Sequence, residues 1–188
     1  MSVNQKLSNN IPGRISIEGL AIAKFSRSVF EDMQRGQITA VNCTCCVWEN
    51  FYQAIENLII WNDHFRKNRD IICHVKCPSD IISAHNNGKV GVILGWQNTS
   101  AIEDDLGKLQ IFYDLGVRIV QLTYNTQNLV GSGCWETNDG GLSDFGKEVV
   151  GEMNRLGIVI DLSHVGAKTS SDAIRVSKSP VAYTHCCP

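Results

Sequence analysis

Residues 158–187 read IVIDLSHVGAKTSSDAIRVSKSPVAYTHCC. Two apolar, β-branched runs, 158–163 and 181–185, lead to a histidine each, His164 and His185. The segment between them, 167–178, is polar with a helical pattern and stops before Pro180. This is strand, helix, strand. A crossover helix returns the chain to the same end of a parallel sheet, where neighbouring backbones lie about 4.8 Å apart. The two histidines therefore come to one rim of the sheet. Imidazoles that close can share a metal ion, with Zn–N bonds of about 2.0–2.1 Å. An acid/base pair or two independent core histidines are the other readings. The remaining histidines, His64, His74 and His85, fall in helical or loop stretches and are read as surface or packing residues.

The same alternation runs along the chain. Strands are expected at 15–23, 38–48, 90–97, 118–124, 158–163 and 181–185, mostly apolar throughout, as in a parallel sheet covered on both faces. Helices are expected at 49–67, 79–87, 101–115, 143–156 and 167–178. Ser100 and Glu103 have capping-box spacing before the third of these. Ser143 and Gly157 read as start and stop of the fourth. The fold class is α/β. A doubly wound sheet and a (β/α)8 barrel both fit. The TIM-like barrel is favoured because polar residues recur at strand C-terminal ends, where barrel enzymes build their sites: Gln97 and Asn98, Tyr124 and Asn125, His164, His185. Only roughly six β/α units are present, and a complete barrel takes about 200 residues or more. The reading expects an incomplete or truncated barrel over 14–188, with 1–13 a flexible lead-in. Its two open sheet edges would be an aggregation hazard. Residues 125–142, with four glycines and no helical pattern, are expected as a mobile cover over the site or a solvated insertion.

Composition narrows the function. Of 188 residues, 43% are hydrophobic and 19% charged, with a net charge of −2. That is an ordinary globular balance. No basic block points to nucleic acid or an anionic membrane, and no apolar run reaches the roughly 18 residues of a membrane span. The polar start, MSVNQKLSNNIPGR, lacks the apolar centre of a secretory signal, so a cytoplasmic protein is expected. Eight cysteines suit a reducing compartment and read as packing residues. Cys73, His74 and Cys77 have only a faint metal-like spacing, with no second ligand pair following. A small-molecule substrate is the expected partner, and a homo-oligomer is left open.

Three blocks, LGVRIVQLTYNTQN (115–128), GGLSDFGKEVVGEMNRLGIVIDLSHVG (140–166) and SPVAYTHC (179–186), resemble the renal, or membrane, dipeptidase family of zinc metallopeptidases. The resemblance is dense over 90–188 and is closest to bacterial members. It implies a (β/α)8 barrel with two zinc ions at its C-terminal rim and hydrolysis of a dipeptide or other small amide. By the resemblance, His164 and His185 are the two histidine ligands of one zinc. Tyr124, Asn125 and Gln97 are the candidate substrate-binding residues, and no catalytic residue is assigned. The sequence departs from the family pattern in three places. EGLAI (18–22) carries Leu20 and Ile22 where the family has a His-x-Asp metal pair. ILGWQNTS (93–100) offers Gln97 where a carboxylate bridges the metals. Tyr124 stands in place of a substrate-contacting histidine. The family's catalytic aspartate and substrate-clamping arginine belong to segments beyond Pro188. One metal position is thus half furnished. A third ligand is expected from later segments first, then from Glu18 or Gln97. Asp161 is read as a carboxylate that backs a ligand or packs on a helix; Asp144 and Asp172 suit the dipoles of their helices. The rival function is a catalytically silent barrel that binds or scaffolds.

Overall fold

The computed structural model describes residues 14–186; the expected flexible lead-in, 1–13, and Cys187 and Pro188 lie outside the described residues. Seven strands and six helices follow one another as β1 (Ile17–Ala21), α1 (Arg27–Arg35), β2 (Ala40–Cys46), α2 (Phe51–Lys67), β3 (Ile72–Val75), α3 (Pro78–Asn86), β4 (Val90–Trp96), α4 (Gly107–Asp114), β5 (Val117–Gln121), α5 (Asp144–Leu156), β6 (Val159–Asp161), α6 (Ala167–Val176) and β7 (Val181–Ala182). Every pairing between these strands is parallel, and the path across the sheet is β1-β2-β4-β5-β6-β7. These six strands are the six the sequence predicts. The sheet is that of a partial TIM-like barrel.

The seventh strand, β3, is an addition to that reading. β2 takes one edge of β4 along its length. The other edge is shared: β3 pairs with Val90–Ile93 and β5 with Leu94–Trp96. β3 is a short wedge whose four residues carry too little pattern to announce themselves. Its His74 stacks on Phe65 at 4.5 Å, with Nε2 3.3 Å from the Gly116 carbonyl oxygen. The Cys73, His74, Cys77 spacing therefore serves packing and a helix start, with Cys77 as the residue before α3. Helix α1 also lies outside the predicted elements, because its one fully buried residue is Phe30.

The helix expected over 101–115 is broken. Ser100–Ile102 form a single 3-10 turn, Glu103 adopts φ 52°, and α4 starts at Gly107. Ser100 Oγ, expected to cap, instead donates to the Val47 and Glu49 carbonyls at 3.3 and 3.0 Å. Glu103 is held by Lys108 and by the Phe51 amide. Long-range bonds to the β2–α2 turn outcompete the local cap. The expected signals on α5 hold: Ser143 Oγ accepts from the Gly146 amide at 2.8 Å, and Gly157 sits at φ 81°.

Alternation along the strands separates two faces. Val41, Cys43, Val92, Leu94, Trp96, Val120, Leu122 and Ile160 point outward into the main core with Phe30, Leu58, Trp61, Phe112, Val149 and Met153 of the helices. The inner face starts apolar, with Ala40, Ile93 and Ile119. It turns polar towards the strand C-terminal ends, where Gln97, Gln121, Thr123, Asp161 and Ser163 are all buried. The sheet curls until its two ends meet: a Cβ on Gly19 of β1 would stand 2.2 Å from the carbonyl oxygen of Thr184, just past β7. Lower on the same face the wall is open. Ile17, opposite Ala40, is 53% exposed, and Val159, opposite Ile119, is 40% exposed.

Two predictions follow from this architecture. Gly19→Ala forces Thr184 aside and is expected to lower unfolding stability by about 1–3 kcal/mol, the range for overpacking, as read by urea denaturation. The second concerns His74, whose imidazolium burial pushes down from 6.5 to about 4 against the pull of the Gly116 carbonyl. Between those two values the unfolded chain takes up a proton that the folded chain refuses, so stability falls as pH drops through that window. His74→Phe keeps the stack on Phe65 and removes the titration; its denaturation midpoint is expected to depend less on pH there.

Candidate metal and substrate site

Two residues with left-handed backbones build the rim. Asn125, four residues beyond β5, has φ 62°, and His164, three beyond β6, has φ 58°. Positive φ is uncommon outside glycine, and Asn and His are among the types that tolerate it. The turn at His164 ends strand alternation and swings its ring against that of His185, the centroids lying 5.0 Å apart. His164 Nδ1 is 2.7 Å from Asn125 Oδ1. Tyr124 stacks on His164 at 4.5 Å and meets Trp48 edge-on at 5.2 Å. The result is a file of rings, Trp48–Tyr124–His164–His185, across the barrel mouth. Burial holds the His164 imidazolium below its ordinary range, and neighbouring His185 pushes the same way, against the opposing pull of Asp161.

His185 is held from below. Its Nδ1 is 2.8 Å from Thr184 Oγ1, which is 2.6 Å from Asp161 Oδ2. Asp161 is 1% exposed and sits on the inner face, opposite Gln121 of β5 and Ala182 of β7. Its hydrogen bonds run to Ser163 and Thr184 at the rim. His185 Nε2 is buried and has no hydrogen-bond partner among the described residues.

The structure thus brings Tyr124, Asn125, His164 and His185 together. Asn125 Nδ2 has no protein partner among the described residues. Gln97 is buried in the same mouth, its amide donating to Thr44 Oγ1 at 2.9 Å. Glu18 lies opposite Val41, so it faces outward and away from the barrel interior. Leu20 is half-buried and Ile22 is 67% exposed. A groove of about 340 Å³ beside Thr44 includes one carboxylate, Glu49, which the Val47 and Trp48 amides and Asn57 already engage. Asp144 and Asp172 make ion pairs one helical turn on, with Lys147 and Arg175.

The segment 125–142 is tied down, not loose. Asn128 Nδ2 lies within 3.0 Å of Asn98 Oδ1, Thr99 Oγ1 and the Leu122 carbonyl, while its Oδ1 accepts from the Val130 and Gly131 amides. Asp139 reaches the start of α6, accepting from the Lys168 amide at 2.6 Å and from Thr169 Oγ1 at 2.9 Å. Burial alone would raise the Asp139 carboxyl; bonds from the Gly141, Lys168 and Thr169 amides and from the Thr169 hydroxyl outweigh it and hold the group low. Neither anchor was visible as a motif. The signal available was the density of Asn and Asp, which bond nearby amides readily.

A family model of the membrane dipeptidases, peptidase family M19, matches residues 19–188. The chain belongs to this family. An uncharacterized dipeptidase of Schizosaccharomyces pombe is 40% identical over 116 residues, 59% of this chain and 28% of that protein. The crystal structure of an amidohydrolase from Pseudomonas aeruginosa superposes with a TM-score of 0.90 and 53% identity, over 92% of this chain and 53% of that one. A metallo peptidase from Rhodobacter sphaeroides, liganded with a phosphinate mimic of the dipeptide L-Ala-D-Ala, shares the fold at 20% identity, TM-score 0.74, over 89% of this chain and 63% of its own. The chain spans from 28% to 63% of the length of these relatives.

A metallopeptidase family implies a metal. The orphaned, buried Nε2 of His185 beside the His164 ring fits one edge of a coordination shell. Among the described residues no group of three or more His, Cys, Asp or Glu could hold an ion. No helix among the described residues is long and apolar enough to cross a membrane.

Removing the Asn128 anchor tests how the M19 rim is held. Asn128→Ala is expected to cost about 1–3 kcal/mol, the penalty for leaving buried groups unpaired, and to speed amide exchange at Val130 and Gly131, measured by hydrogen–deuterium exchange.

Proposed function

We propose that the chain carries part of a metal-dependent hydrolase of dipeptidase type, acting on a dipeptide or other small amide. The observation that supports this reading best is the histidine pair, each ring engaged at Nδ1 and one Nε2 buried with no partner among the described residues. His164 and His185 would hold one divalent metal, zinc by ligand type. Bound there, a metal supplies Lewis acidity and lowers the pKa of coordinated water. The chain's own groups orient and shield. Tyr124 packs against one face of His164, Asn125 has an unengaged amide nitrogen to offer a substrate carbonyl, and Gln97 lines the mouth from β4. Seven free cysteines among the described residues support a reducing, cytoplasmic setting.

A second reading, a barrel that binds without catalysis, draws on the lack of a third ligand among the described residues and on apolar Leu20 and Ile22 beside the rim. Metal analysis after loading with zinc separates the two. The hydrolase reading expects about one metal per chain, lost in His164→Ala, His185→Ala, with dipeptide turnover as the further assay. Equal, negligible metal in both proteins would leave the binding barrel.

A further inference from the structure

We propose that Asp161 is a positioning residue that fixes both the backbone and the ring of His185, acting through one hydroxyl with each carboxylate oxygen. Two short relays converge on it. In the first, the His185 backbone amide donates to Ser163 Oγ at 3.1 Å, and Ser163 Oγ donates to Asp161 Oδ1 at 2.7 Å. In the second, His185 Nδ1 lies 2.8 Å from Thr184 Oγ1, and Thr184 Oγ1 lies 2.6 Å from Asp161 Oδ2.

The second relay has only one consistent proton arrangement. A hydroxyl has one proton to give, and a carboxylate only accepts. The Thr184 proton therefore points at Asp161, and its lone pair faces His185. Nδ1 must then carry the ring proton. A neutral imidazole protonated at Nδ1 has its lone pair on Nε2, which is the buried, partnerless atom. The pattern of donors around Asp161 fixes its orientation too. Oδ1 accepts from the Ser163 and Thr184 amides, at 2.9 and 3.2 Å, as well as from Ser163 Oγ. Oδ2 is left to face Thr184.

His164 is held differently. Its Nδ1 meets Asn125 Oδ1, the oxygen of a neutral amide, with no carboxylate behind it to hold the tautomer. At His185 the carboxylate holds it. The inference rests on the proposed function only for the use of the bare Nε2; the tautomer stands whether or not a metal binds.

The test is spectroscopic and uses metal-free protein labelled at the histidine nitrogens. Long-range proton–nitrogen correlations at mildly alkaline pH report which ring nitrogen carries the proton. In the wild type His185 is expected as the Nδ1–H form. Asp161→Asn should reverse it. The amide oxygen must stay with the two backbone amides, its NH2 then donates to Thr184, and the hydroxyl proton turns to Nδ1, leaving the ring proton on Nε2. Thr184→Ser keeps the hydroxyl and should keep the wild-type form; Thr184→Val should lose it. A merely structural role for Asp161 would leave the tautomer unchanged. An Nε2–H ring in the wild type, or an Nδ1–H ring retained in Asp161→Asn or Thr184→Val, overturns the proposal. The wild-type spectrum decides the matter even if a variant fails to fold. Metal content is a separate readout, so failure of the hydrolase reading is distinguishable.

Discussion

The rim depends on the bonds around Asp161, a nearly dry carboxylate with the ends of two strands gathered around it. β6 supplies the acid itself and the turn just past it Ser163; the segment after β7 supplies Thr184 and His185. A buried carboxylate is costly unless its oxygens are satisfied, and here four donors reach it. Hydrogen bonds to a charged group are roughly twice as strong as neutral ones. The histidine pair is therefore seated on a polar plug, which lets two short strands of three and two residues hold a defined geometry.

Much of this was legible in the sequence, for identifiable reasons. β4 is apolar on both faces over seven residues, and β2 breaks that pattern only at Asn42 and Thr44, so both declare a covered parallel strand. The histidine pair was legible because each residue closes such a run, and strand order turns sequence position into spatial position. Family blocks added the metal-ligand role proposed for it. β3 escaped because ICHV is four residues long and half polar in character. The Ser100 cap failed because its hydroxyl found carbonyls about fifty residues back in the chain. Thr184, Ser163, Asn128 and Asp139 share that property. Their roles come from partners distant in sequence, and no periodicity encodes those.

Strand alternation alone would have misled at the site. It sets Asp161 and His164 on opposite faces, yet both serve one rim. The left-handed residue at His164 resolves the conflict. A backbone in a sparsely populated region persists only where the surroundings over-determine it, and Asn125, Tyr124 and His185 surround this one. A metallopeptidase family implies a metal, and among the described residues no group of three or more His, Cys, Asp or Glu could hold one.

The open lower wall has a thermodynamic consequence of its own. Ile17 and Val159 belong to the inner face and still meet water. Covering an aliphatic side chain of that size is worth about 1.5–3 kcal/mol, comparable to a sizeable share of a domain's whole margin of about 5–15 kcal/mol. Whatever covers the wall binds the folded state and not the unfolded one, so it stabilises by mass action. The melting temperature of this chain is then a property of the solution as much as of the molecule, rising with the concentration of anything that fits the wall.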